Sequence, residues 1–356
     1  MIYGNPADKT VDDQAIAAFN DAYGERAGAL PPVAIVIAAY NEEGAIGPVI
    51  EALPAEVCGL ATTAIVVADG CADGTVKEAL AADAMVCDVP VNRGQGAALR
   101  LGYRLAREGG ASYIITTDAD GQYNPAEMDR VLAPVVAGEA DFVTGSRRLG
   151  SQETKDVIRR SGVRFFAGTI SMLTGQKVSD TTFGLRAMRA EVTGAVRLEQ
   201  PQYQASELLI GVITHGYKVA EVPATIHRRR VGESKKGQNP LYGLHLPGVN
   251  NLFYGARFAR VVYGTWWRER QRAGQTEASA RAEAAELTEV PELTEVPERI
   301  DPAGQSGSAG SSSGTARSGP VDSAARTNGS GPESVETSAS SAAAGLAPPG
   351  DPAKRT

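Results

Sequence analysis

Histidine and cysteine are scarce in this 356-residue chain, three of each. His215, His227 and His245 are too few to build a His-based metal cluster. Cys58, Cys71 and Cys87 are an odd number and form no Cys-x-x-Cys pair, which argues against a zinc or disulfide framework and for a reducing compartment. Runs of eighteen apolar residues are absent, so no segment is expected to cross a membrane as a helix. The first residues, with Asp8, Asp12 and Asp13, lack the basic and apolar regions of a signal peptide. The basic residues follow no recognition-helix or RNA-module pattern, which leaves nucleic acid out as a partner. The expected location is the cytoplasm, with peripheral contact at the inner face of the membrane.

Large apolar side chains nearly vanish beyond Arg272, where Ala, Ser, Gly, Thr, Glu and Pro dominate. Such a segment cannot bury enough apolar surface to offset its chain entropy, so residues 273–356 are expected to be a disordered acidic tail. Its six-residue repeat, Glu286 to Pro291 and again to Pro297, is too short for a solenoid. The formal net charge of −7 comes mostly from this tail. Three further segments precede it. Residues 1–30 form a polar lead-in with an amphipathic helix from Asp12 to Tyr23. Residues 31–240 form the main domain, and 241–272 an amphipathic helical segment.

Within the main domain, short β-branched runs alternate with helical patterns. Strands are expected at Val33–Ala39, Thr63–Ala68, Met85–Val89, Tyr113–Thr117 and Phe142–Thr144. Helices are expected at Glu42–Leu53, Gly74–Ala82, Gly96–Glu108 and Pro125–Val136. This alternation implies an α/β fold, a Rossmann-like, mostly parallel mixed sheet flanked by helices. Ligands of such sheets sit beyond the carboxyl ends of the strands. Three loops there are acidic: Tyr40-Asn41-Glu42-Glu43, Asp69 to Thr75, and Asp118-Ala119-Asp120-Gly121-Gln122. Carboxylates gathered at one edge repel one another unless a cation or hydrogen-bond donors compensate. A hard divalent ion shared with phosphate oxygens would do so. Gly94-x-Gly96 opens a helix, but a dinucleotide fingerprint needs its glycines straight after the first strand, where this chain reads Tyr-Asn-Glu-Glu.

The order Tyr40-Asn-Glu42, Asp69-Gly-x-x-Asp73-Gly-Thr75, Asn92-Arg-Gly94-x-Gly96-Ala, Asp118-x-Asp120-x-Gln122 and Gly145-Ser-Arg147 resembles the family 2 glycosyltransferases. Among them it looks most like the dolichol-phosphate (polyprenol-phosphate) mannose synthases and their bacterial relatives. Ser179-Asp180-Thr-Thr-Phe-Gly184-Leu-Arg186, Glu207, Glu221-Val-Pro223 and Arg228 to Lys235 agree with it. The resemblance implies a GT-A fold and an inverting transfer from a nucleotide-diphosphate sugar, GDP-mannose favoured, to a lipid-phosphate acceptor, polyprenyl phosphate. It implies that Tyr40, Glu42, Asp69, Gly94, Gly96 and Ala119 line the donor. It further implies that Asp118, Asp120 and Gln122 hold magnesium or manganese. Two departures, Ala38 where the family has proline and Ala68 where it has an acid, leave the donor's base and sugar open.

Arginines crowd the second half of the main domain, and Arg147 and Arg186 match family motifs as acceptor-binding residues. A phosphate acceptor is already a nucleophile. A hydroxyl acceptor, on a soluble compound or a glycan, would need a base, and Asp180 is the catalytic candidate by position. A third reading, an inactive domain that binds partners through its tail, conflicts with the intact Asp118, Asp120 and Gln122. The aromatic and basic residues of 241–272 suit either a membrane interface or a helix packed on the domain.

Overall fold

The computed structural model describes residues 6–152, 157–200, 204–227 and 258–275. The arginine run at 228–230, the Ser234-Lys235 segment, the hexamer repeat and all but the start of the predicted tail lie outside the described residues.

The chain begins with α1 (Pro6–Tyr23) and a short α2 (Glu25–Gly28). The first sheet strand follows, then units of helix and strand: β1 (Val33–Ala39), α3 (Ile46–Glu51), β2 (Glu56–Val57), β3 (Leu60–Asp69), α4 (Thr75–Ala81), β4 (Met85–Val89), α5 (Gln95–Glu108) and β5 (Tyr113–Asp118). A single 3-10 turn (Pro125–Glu127) leads into α6 (Met128–Val136) and β6 (Phe142–Gln152). Then come α7 (Val157–Thr174), β7 (Arg186–Arg189), α8 (Val192–Ala195), α9 (Gln204–Thr214) and β8 (Val219–Ile226). Residues 258–275 form a last helix, α10.

The eight strands make one sheet in the order β2-β3-β1-β5-β7-β6-β8, with β4 also paired to β3. Pairings β1/β3, β1/β5, β3/β4 and β6/β8 are parallel, while β7 runs antiparallel to both its neighbours. The expected mostly parallel mixed sheet is therefore what forms. The side-chain period of two divides each central strand between two cores. Ala34, Val36, Ile65, Val67 and Ile114 face α1, α5 and α9. Val33, Ile35, Ile37, Val66 and Ile115 face α3, α4 and α6. Full burial of each Ile or Val contributes about 1.5–3 kcal/mol, so these runs dominate the stability of the domain.

Three differences from the sequence reading have local causes. The helix expected from Pro125 opens as a 3-10 turn, where Asn124 accepts the Ala126 N–H and relieves an orphan donor. Strand β6 continues to Gln152 because β8 pairs with it past Ser146, through a register irregularity between Ser146 and Ser151. The polar stretch Gly145 to Gln152 carries no apolar alternation to announce that strand. Third, α1 starts at Pro6, ahead of the expected Asp12, and is docked: Ala15, Ile16 and Phe19 are buried in the core. The Tyr23 hydroxyl accepts the Val86 N–H at 2.6 Å and so covers a free edge of β4.

Candidate active site

Parallel register decides which loops meet. Ala39 lies opposite Ala68, and Ala38 opposite Asp118. The chain therefore leaves β1, β3 and β5 at one edge, delivering Tyr40, Asp69 and Asp118 together. Thr116 pairs with Arg186, and Arg186 with Thr144, so β7 starts and β6 passes at the same edge.

The loops after β1 and β3 are knitted to each other. Asn41 adopts φ 52°, a left-handed conformation that asparagine tolerates, and its side-chain oxygen accepts the Ala72 N–H at 2.7 Å. The Glu42 N–H donates to Thr75 Oγ1 at 2.7 Å, and the Glu43 N–H to Asp73 at 3.2 Å. Tyr40 is left exposed at the rim. Asp69 is buried, and its Oδ2 accepts the backbone N–H groups of Arg93 and Gly94 at 2.8 and 2.7 Å. Burial pushes the Asp69 carboxyl up, against these donors, which favour the charged form. The two amides before α5 are thus occupied by a carboxylate of β3 and are not open as a phosphate cradle. Gly96 is required for a different reason: a Cβ there would lie 2.0 Å from the Gln200 carbonyl oxygen.

Asp118 ends β5, and its Oδ1 accepts from the Gln95 amide at 3.2 Å. Ala119 and Asp120 are buried in the turn that follows, and Asp120 Oδ1 accepts the Gln122 N–H at 3.1 Å. Gln122 is held to His227: its side-chain amide donates to the His227 carbonyl at 3.0 Å, and the His227 N–H donates to the Gln122 carbonyl at 2.9 Å. His227, just after β8, is therefore tied to the turn that carries Asp118 and Asp120. Two carboxylates on one turn offer the hard oxygens that a divalent cation takes together with phosphate oxygens. Among the described residues no group of three or more His, Cys, Asp or Glu could hold a metal ion.

Tyr123 is the hub between this acidic turn and a basic group. Its hydroxyl accepts the Gly184 N–H at 2.8 Å, and its ring lies 4.9 Å from that of Phe183. Burial, then the charge of Asp118, push the phenol well above its usual range, so it stays protonated. The Arg147 guanidinium sits 5.7 Å from the Phe183 ring centre. Arg147 and Asp180 form a buried pair: Nε donates to Oδ2 at 2.6 Å, and Nη2 to Oδ1 at 3.4 Å and to Thr182 Oγ1 at 3.0 Å. Asp180 is fully buried and also accepts the Thr182 N–H. Glu221 fixes this loop by accepting the N–H groups of Ser179 and Asp180. Arg186 is buried at the start of β7, with Nε donating to the Phe183 carbonyl at 2.7 Å.

Sequence reasoning missed Gln95 and Tyr123. Gln95 is the unspecified residue of Gly94-x-Gly96, and Tyr123 looks like core beside Gln122. Neither carries a signal without the contacts to Asp118 and Gly184.

An α/β domain with carboxylate loops converging beyond β1, β3 and β5, and an antiparallel β7 beside them, has the layout of the GT-A fold. The sequence profile of glycosyl transferase family 2 matches residues 34–196. A dolichyl-phosphate hexose transferase of Haloferax volcanii is 34% identical over 57% of this chain and 86% of that protein. A polyprenol monophosphomannose synthase of Mycolicibacterium smegmatis is 33% identical over 56% of this chain and 79% of that protein. Among solved structures, glucosyl-3-phosphoglycerate synthase from Mycobacterium tuberculosis, in complex with Mn2+, UDP and glucosyl-3-phosphoglycerate, matches with a TM-score of 0.50. That match has 20% identity and covers 71% of this chain and 84% of that one. The chain belongs to glycosyl transferase family 2.

Proposed function

We propose that the chain transfers a hexosyl group, mannose favoured, from a nucleotide-diphosphate sugar such as GDP-mannose to polyprenyl phosphate, with inversion. Tyr40, Glu42, Asp69 and Ala119 form the donor side, with Gly94 and Gly96 shaping the turn beside them that Asp69 holds. Asp118, Asp120 and Gln122 hold magnesium or manganese. That ion, when bound, stabilises the negative charge on the departing diphosphate. An oxygen of the acceptor phosphate attacks the anomeric carbon as the bond to the donor's β-phosphate breaks, and the nucleoside diphosphate leaves. No proton has to be removed, because the second pKa of a phosphate monoester is about 6. Arg147 and Arg186 serve the incoming dianion.

The observation that carries the acceptor reading is the buried Arg147–Asp180 pair. Both oxygens of Asp180 are engaged by Arg147 and Thr182, which supports a role in orienting the guanidinium over a role as a base. The names of the two relatives point to the same acceptor class. No helix among the described residues is long and apolar enough to cross a membrane. Phe165, Met172, Tyr263 and Trp267 are exposed on α7 and α10, together with Arg164, Arg260 and Arg270. Aromatic and basic side chains together suit peripheral contact with a bilayer that holds the lipid acceptor.

Steady-state kinetics with varied acceptor test this reading. Arg147→Ala should weaken acceptor use by about 2 kcal/mol, the scale of a lost charge-assisted hydrogen bond. Lys at that position should rescue only partly, because it lacks the planar fork. Asp180→Asn should act the same way, raising the acceptor KM by loosening Arg147. A collapse of kcat by about a hundredfold at unchanged acceptor KM would instead mark Asp180 as a base and the acceptor as a hydroxyl.

A further inference from the structure

The helix α1 lies wholly before residue 34, where the family match begins, yet it carries a charge into the donor side of the site. Asp12 is completely buried on its inner face. One oxygen accepts from Arg93 Nη1 at 2.7 Å, the other from Arg100 Nε at 3.2 Å. Arg93 also donates to the Asp8 carbonyl on the same helix. Its Nε stands 3.9 Å from Asp69 Oδ1, and neither of those two atoms makes a hydrogen bond within the protein. The backbone N–H of Arg93 meanwhile donates to the other Asp69 oxygen. One residue is thus held by Asp12 through its side chain and bound to Asp69 through its backbone. The next residues extend the chain of contacts: Gly94 N–H to Asp69, then Gln95 to Asp118.

A buried ion pair holds its geometry only when both partners are present, because removing one leaves an uncompensated charge. Asp12 and Asp69 bracket one guanidinium in this way. Asp12 also pairs with Arg100, and Asp13 with Arg104 at 2.6 Å, so α1 is tied to α5 by ion pairs other than the one to Arg93.

We infer that Asp12 is a positioning residue of the donor site: through Arg93 it sets the 92–95 turn against Asp69 and Asp118. The inference rests on the assignment of Asp69 and Asp118 to the donor side. Asp12→Asn keeps the volume and removes the charge, and Asp13→Ala removes a different α1 ion pair as the control. Each variant is assayed in the full chain, well below its melting temperature, with donor and acceptor varied separately. Asp12→Asn should raise the donor KM by about tenfold or more, as for loss of a charge-assisted hydrogen bond, with the acceptor KM unchanged. Asp13→Ala should leave both KM values unchanged even where it lowers the melting temperature. Arg93→Lys, which keeps the charge but cannot span Asp12 and Asp69, should reproduce the donor effect and carries the test should Asp12→Asn not fold. Normal wild-type turnover with the donor KM of both Asp12→Asn and Arg93→Lys within twofold of wild type would overturn the inference alone. A wild-type chain that transfers no sugar from any nucleotide-diphosphate donor would overturn the functional reading and this inference together.

Discussion

At Gly184 the amide N–H is bound by the Tyr123 hydroxyl, and an added Cβ would lie 2.7 Å from Asp118 Oδ2 and 2.8 Å from the Tyr123 oxygen. Real Cβ atoms do not approach so closely, so Gly184→Ala must move Asp118 or Tyr123. An ångström-scale displacement at a reacting centre costs about a hundredfold in rate, so kcat should fall by that order while the donor still binds. An alanine variant with kcat within threefold of wild type would show that Asp118 need not hold its present place. The carboxylates of this site were legible because each ends an apolar strand, and parallel pairing puts strand ends level. The pairing of Arg147 with Asp180 was not, because the two residues are far apart in the chain and meet only where β6 and the loop before β7 pass. Read separately, they stood for competing acceptors; the fold joins them in one buried pair.

Among the elements, α9 and α10 show how an ionisable core residue can couple docking to pH. Glu207 on α9 has a fully buried side chain that accepts the N–H groups of Glu199 and Gln200 at 3.0 and 2.9 Å. Arg268 of α10 approaches its other oxygen at 3.6 Å. Burial outweighs these partners and pushes the Glu207 carboxyl from 4.5 to about 7. The folded chain therefore holds this proton more tightly than the unfolded chain. Stability from this group is full below about pH 4.5, falls as the pH rises towards 7, and is lost above it. The loss is on the order of 3 kcal/mol by linkage. Glu207→Gln should flatten the curve: its melting temperature minus that of wild type should grow between pH 5 and 7.5. A difference independent of pH would contradict the raised carboxyl. Part of this was open to sequence reading. The aromatic stripe of α10 suited packing, and Phe258 and Val262 do pack against Phe166, Ile170 and Ile210. The same helix leaves Tyr263 and Trp267 exposed on another face. The buried role of Glu207 could not be read, since a lone Glu in a helical pattern usually faces water.

On the scale of the whole molecule, the sheet separates two sets of side chains. Its β3, β1 and β5 side collects the acidic loops and is buttressed by α1. Its β6, β7 and β8 side carries Arg147, Arg186 and Asp180, with α7 and α10 outside it. Strand alternation announced the first half, whose strands are apolar and consecutive. The second half was harder because β7 is antiparallel and β6 continues through polar residues. The central claim is that these halves bring a nucleotide-sugar to a lipid phosphate. Its most direct test incubates the full chain with manganese, a radiolabelled sugar nucleotide from a GDP-, UDP- and dTDP-linked panel, and either a short polyprenyl phosphate or the matching free polyprenol. The account predicts label in the organic phase with the phosphate and not with the polyprenol, abolished by Asp120→Ala. Equal labelling of the free polyprenol, or no organic-phase label from any donor beside steady transfer to a soluble hydroxyl acceptor, would contradict it.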